Sequence, residues 1–372
     1  MAKTFKSLLG DDVASTRTLL HEAIPITGTI SSGTYTEGAY PGTETNIKTF
    51  SHGMFESVYD YPYLSSSANH IYDLTFGYSS QLSASTDRTQ NSKKLNIYNQ
   101  MAQVLMGYDA SGSIRKFDSD GTLDDDGTGQ MNQCFFINFS RLLTKDEIKK
   151  NSFRLDIFTS GSMSGSGLVT TGATTGGARD TIGDYGSANQ FRTSPAGDYG
   201  LLFTGSGCTD GACVSGSVGL IFYQAGIVVL TSSIFLGDFG TPDSFFQAYG
   251  PTPILASTGS SFAATKLQTI EQLANGFRHR INDIDFNNTI ELNSAIYFCR
   301  VNHNEFNYSS NPTYVSGSKI VVKNNVSDLP VTYATTVGLY SPDNELLAVA
   351  KLSEPLRKDP NTELTLRVRL DY

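Results

Sequence analysis

Residues Thr332–Tyr372, TYATTVGLYSPDNELLAVAKLSEPLRKDPNTELTLRVRLDY, read as strand, turn, strand, linker, strand. In ELTLRVRLDY, Leu364, Leu366, Val368 and Leu370 share one face, and Thr365, Arg367, Arg369 and Asp371 share the other. That alternation predicts a half-buried strand with a clean polar side. SPDN supplies a turn with Pro342 at its second position. Before the turn Val337 and Leu339 face one way; after it LLAVAKL offers apolar groups to both sides. A strand apolar on both faces must be covered twice. The second cover comes either from the same chain, closing the core of an ordinary monomeric β domain, or from another subunit. The stretch holds no residue set suited to chemistry, and the sheet reads as an assembly surface.

Composition points the same way. The chain has 372 residues, long enough for two or three domains or one large β-rich body. Charged residues make up 17%, below the roughly 25% of an ordinary soluble domain. Glycine (35 residues), Ser and Thr replace the missing charge, Tyr and Phe are plentiful, and Trp is absent. Such a mixture favours strands and turns over helices. The net charge of −9 argues against a nucleic-acid partner, since phosphate binding needs clustered Lys and Arg. Lys149-Lys150 and Arg278-His279-Arg280 are too short to form a groove. No apolar run approaches 18 residues, so no membrane span is expected. The opening MAKTFKSLLGDDVASTRTLL has no h-region, and no secretion signal is expected.

Working back along the chain, the fold class expected is α+β and strand-dominated. It comprises antiparallel sheets, a few isolated short helices and a C-terminal β-meander. Five segments follow from composition: 1–50, an arm with a short helix; 51–158, an aromatic-rich region; 159–198, a Gly/Ser/Thr-rich loop or insertion; 199–300, a β-rich region with one helix; and 301–372, the meander. In the arm, Asp11 or Asp12 is placed to cap a helix with Val13, Leu19 and Leu20 towards a core. The clearest helix is Ser92–Met106, closed by Gly107. Shorter ones are expected at TKDEIKK, capped by Thr144, and at Lys266–Arg278. VGLIFYQAGIVVLTS reads as a buried hairpin.

Candidate chemistry is sparse. FDSDGTLDDDG places Asp118, Asp120, Asp124, Asp125 and Asp126 around Gly121, oxygen ligands of the kind Ca²⁺ takes. Its spacing is not that of an EF-hand, and a solvated acidic turn is the preferred reading. Cys208 and Cys213 bracket CTDGAC; plain thiols are expected, with a small loop disulfide or half a metal site as alternatives. The five histidines are scattered, no Gly-x-Ser-x-Gly elbow occurs, and the glycine-rich stretches match neither a P-loop nor a dinucleotide fingerprint. No catalytic residue and no cofactor are assigned, and the chain is not expected to be an enzyme. The Tyr-rich stretch 50–80 must fill a core or a buried interface. Candidate interface residues there are Phe55, Tyr59, Tyr61, Tyr63 and Tyr72. In the last segment they are Tyr333, Val337, Leu339, Tyr340, Leu347 and Val349.

Two stretches carry a resemblance. MAKTFKSLLGDDVASTRTLLHEAIPITGTI, with HGMFESVYDYPYLSSSANHIYDLTFGYS behind it, is similar to virion structural proteins of T-even-like contractile-tailed bacteriophages. FNYSSNPTYV followed by TYATTVGLYSPDNELLAVAKLSEPL is similar to a segment carried by several such proteins. It also loosely resembles the attachment domains of myophage tail fibres, through Val337-Gly338-Leu339-Tyr340 and Leu346-Leu347-Ala348-Val349-Ala350. The resemblance implies a virion component of the tail, baseplate or neck, made in the host cytoplasm and without catalytic activity. Its partners would be other copies of itself and other virion proteins, with no nucleic acid and no membrane. Fibre tips often carry repeated H-x-H pairs and this chain has none, which favours a scaffold or connector over a receptor-binding tip. The alternatives are a head component (capsid, vertex or decoration protein) and a host-glycan-binding module of the tail.

Overall fold

A computed structural model describes residues 5–30, 44–80, 89–121, 129–158, 163–164, 167–168, 179–205, 208–209, 212–213, 217–235, 268–278, 280–309, 313–316, 319–320, 325 and 327–372. The chain divides into two units: Leu20–Ile290, and a smaller one made of Met1–Leu19 with Glu291–Tyr372. Strands dominate, the sheets are antiparallel and the helices are few, as the composition predicts.

In the larger unit the sheet starts at the end of Val13–Pro25 and passes to the first half of the long strand Ile281–Val301. It continues through Arg154–Phe158, Arg179–Gly183, Gly197–Thr204, Ser217–Phe222, Ile227–Thr231, Gln133–Phe139, His70–Tyr78, Glu56–Tyr59 and Ile47–Thr49. Its central strands are apolar on both sides, and both sides are buried. In Gln133–Phe139, Phe135, Ile137 and Phe139 enter one hydrophobic cluster while Cys134 and Phe136 enter a second. Leu220 and Phe222 likewise oppose Ile221. A doubly covered sheet needs such continuous apolar runs. The expected hairpin forms, with Gly219 opposite Leu230 and Phe222 opposite Ile227.

Two helices supply cover. Thr89–Leu105, a turn longer at its start than the periodicity predicts, sends Ile97, Tyr98, Ala102 and Leu105 into the second cluster. Gly107 ends it with φ +78°, a conformation glycine adopts without steric cost. Ile270–Arg278 sends Leu273, Ala274 and Phe277 into the first cluster, where Phe277 stacks on Phe135 at 4.6 Å. Residues 266–267 of that expected helix lie outside the described residues.

Several expectations are corrected. The arm is not helical: Gly10–Asp12 forms one 3-10 turn, and Val13–Pro25 is a strand. Leu19 and Leu20, adjacent in a strand, point to opposite faces, and both are exposed. Around TKDEIKK the helix is the single turn Arg141–Thr144, ended by Lys145 at φ +55°. Glu147–Ile148 then pairs with the long strand at Asn288 and Thr289, burying Ile148. Seven residues are too few to nucleate a helix when a strand offers its edge. The 51–158 and 199–300 segments are not separate regions but neighbours in one sheet.

In the smaller unit the second half of the long strand pairs with Leu364–Asp371, from Ser294 opposite Asp371 to Val301 opposite Leu364. The expected alternation is present: Leu364, Leu366, Val368 and Leu370 are half-buried and the residues between them exposed. Thr332–Tyr340 and Leu346–Lys358 form a separate two-stranded hairpin. Ser341 and Asn344 close its turn, with Asn344 at φ +61°. The last three strands are therefore not a continuous meander, because the third leaves the hairpin for the long strand. Lys358 fixes the departure point: it is buried, and its Nζ donates to the carbonyls of His303 (3.0 Å) and Asp359 (2.8 Å) and to Asn307 Oδ1 (2.5 Å).

Candidate assembly surface

The two units differ most in what they bury. Both hydrophobic clusters lie within Leu20–Ile290. Among the described residues of the smaller unit, Ala295 is the one fully buried hydrophobic side chain. Ordering each residue costs on the order of 1–2 kcal/mol of backbone entropy, normally offset by apolar burial. The described residues of this unit supply little of that burial.

Its apolar groups are instead on the outside. Tyr333, Leu346, Leu347 and Val349 are each more than half exposed, and Tyr340 is 45% exposed. The hairpin register gathers them: Tyr340 stands opposite Leu346, and Gly338 opposite Val349. Gly338 leaves room for its neighbour, since a Cβ there would lie 2.9 Å from Cε2 of Tyr340. The Tyr340 ring also meets the edge of Phe5, itself 51% exposed, at 5.2 Å. Val337 and Leu339 point to the opposite, half-buried face. Of the six candidates in this segment, Tyr333, Tyr340, Leu347 and Val349 are thus presented to solvent.

The Tyr-rich candidates belong to the larger unit and divide. Tyr72 is fully buried in the first cluster against Phe139, 6.2 Å away, so it is a core residue and not an interface residue. Its strand lies inside the sheet, between Glu56–Tyr59 and Gln133–Phe139. Phe55 is half-buried, packed between Phe50 (4.8 Å) and His52 (5.0 Å). Tyr59 is half-buried against His70 and Tyr63. Only Tyr61 and Tyr63 of this group are exposed.

The acidic turn is partly described. Asp118 is buried, its Oδ1 accepts from the Asp120 amide at 3.1 Å, and Ser119 N donates to Gly129 O at 2.9 Å, pinching the loop shut. Arg192 donates to the Asp120 carbonyl. Asp124, Asp125 and Asp126 lie outside the described residues, and among the described residues no three potential metal ligands cluster. Cys208 and Cys213 stand opposite each other in a two-residue ribbon.

Sequence reasoning missed a buried ionic group. Arg278, fully enclosed, donates to Glu44 at 2.7 Å and lies 3.8 Å from Glu56, whose side chain is also enclosed. Burial pushes the Glu56 carboxyl up to about 8, with Arg278 pulling it down and Glu271 and Glu44 pushing it up. The cue was HGMFESVYD, where Glu56 opens a strand, but only tertiary structure shows its partner. Because the folded value exceeds the unfolded one, Glu56 favours the fold at low pH, and that contribution is lost as pH rises from about 4.5 through 8. Glu56→Gln should match the wild type near pH 5 and exceed it above pH 8, by on the order of a few kcal/mol. Thermal unfolding at the two pH values checks this, and parallel behaviour would show that the group is not held neutral.

No helix is long and apolar enough to cross a membrane among the described residues. No protein-family model matches this chain, and neither does any curated protein or solved structure.

Proposed function

We propose that this chain is a structural component of a contractile-tailed phage particle, in the tail, baseplate or neck, that works by binding its neighbours through the smaller unit. The observation carrying the reading is that, among its described residues, this unit fully buries almost no apolar side chain and displays a hairpin of exposed Tyr, Leu and Val. Large apolar patches on a soluble chain mark places where another molecule sits. The resemblance of Val337–Tyr340 and Leu346–Ala350 to segments of phage virion proteins names the kind of neighbour. The mechanism is passive: burial of these side chains stabilises both the unit and the contact, and symmetry repeats it.

The test is occupancy in particles. Tyr333→Asp combined with Tyr340→Asp changes two exposed positions and should leave the larger unit folded. Incorporation into virions, read by immunogold labelling, should fall at least about tenfold, because a charge in a desolvated contact costs upward of roughly 2 kcal/mol. Normal labelling of particles by the variant would sink the reading.

A further inference from the structure

Among the described residues one edge of the hairpin's second strand is unpaired: Leu346–Lys358 pairs only with Thr332–Tyr340. Along the open edge runs Leu346-Leu347-Ala348-Val349-Ala350-Lys351, apolar up to its basic end, and acidic Glu345 stands just before it in the turn. Such a segment complements itself when a second copy is turned through 180° about Ala348. Leu347 then meets Val349 across the seam, and Glu345, in the turn, comes to the end of the second copy where Lys351 lies, and the reverse. We propose that two copies of this chain pair antiparallel along this edge. The proposal names the neighbour for the assembly reading above and rests on it.

Four further features fit. Leu346, Leu347, Val349 and the charged Glu345 and Lys351 are exposed, as an unfilled edge requires, and Ala348 and Ala350 are half-buried. Four residues beyond Lys351, Pro355 has no amide hydrogen, so the ladder stops there and the contact stays short. The register shift beside Tyr340, which adds a residue on the second strand, increases local twist and gives a coiled two-hairpin ribbon rather than a flat, extendable sheet. Charge favours the same unit. The smaller unit holds 11 basic and 11 acidic side chains, leaving the whole −9 on Leu20–Ile290. Two larger units repel, whereas two neutral hairpins approach freely. A two-fold contact of this kind closes on itself.

Sedimentation equilibrium of the purified full chain tests the register. The wild type should be a reversible dimer. Glu345→Lys and Lys351→Glu, both at exposed positions, each create two like-charge pairs across the seam and should weaken self-association about tenfold. An equimolar mixture of the two variants restores both opposite-charge pairs and should associate as the wild type does. A wild type that stays monomeric at about 100 µM, single variants that dimerise normally, or a mixture that fails to recover would each overturn the pairing. A monomeric wild type that still enters particles would overturn only this pairing; a dimer missing from particles would overturn only the virion reading.

Discussion

Gly77→Val is expected to unfold the larger unit at temperatures where the wild type is stable. Gly77 lies in His70–Tyr78, directly beneath the Thr89–Leu105 helix. A Cβ there would lie 2.8 Å from the Lys94 carbonyl oxygen and 2.8 Å from the Tyr98 amide nitrogen. Both are helix backbone, so no side chain can swing away. The helix must lift, and with it Tyr98, which lies edge-on to Phe117 at 5.4 Å and donates to the Met131 carbonyl at 2.8 Å. Overpacking in a filled core costs about 1–3 kcal/mol, and a backbone clash belongs at or beyond the upper end. Set against a typical total of about 5–15 kcal/mol, that is a large share. Denaturant unfolding should show a midpoint shift equivalent to about 3 kcal/mol or more. A shift below about 1 kcal/mol would mean the helix is not seated on this strand.

Asp184→Ala should be nearly as damaging. The Asp184 carboxylate is fully enclosed and collects five donors: Asn151 N (2.6 Å), Ser187 Oγ (2.9 Å), Phe153 N (3.0 Å), Tyr223 OH (3.0 Å) and Arg154 Nη1 (3.1 Å). Burial pushes this carboxyl above its ordinary value, while Ser187, Asn151, Tyr223 and Arg154 pull it back. Alanine leaves those donors without their acceptor, Tyr223 among them inside the core. Removing one side of such a set costs about 3–5 kcal/mol. Asp184→Asn keeps an acceptor and should lose roughly half as much. Chemical denaturation of the three chains ranks them; an alanine variant as stable as the asparagine one would show that the carboxylate organises nothing.

How legible these features are in sequence depends on how local their cause is. The Ser217–Thr231 hairpin and the alternation in Leu364–Asp371 can be read directly, because side-chain period and turn residues decide them. The Thr89–Leu105 helix is legible to within a turn for the same reason. Val13–Pro25 is not: its Leu19-Leu20 pair suits a short amphipathic helix as well as a strand, and pairing with a strand nearly 270 residues away settles the matter. The junction after Thr144 fails likewise, since Ile148 finds its place opposite Asn288. On the candidate surface, aromatic density marks Tyr61, Tyr63 and Tyr72 alike. Only the sheet order separates the tyrosine that fills the core from those facing outward. The self-complementary run Glu345–Lys351 is visible as letters, yet it carries meaning only once one of its edges is known to be open.

The contrast between a doubly clustered unit and one whose described residues bury little bears on how the two tolerate change. In Leu20–Ile290 a replacement at Phe135 or Ile137 is judged at once by the chain's own packing. On the hairpin, exchanging one outward residue for another disturbs little within the molecule, so under the proposed assembly the partner surface becomes the judge. Under that proposal the hairpin can drift in step with its partner, acquiring new companions through successive small edits while Leu20–Ile290 stays as it was.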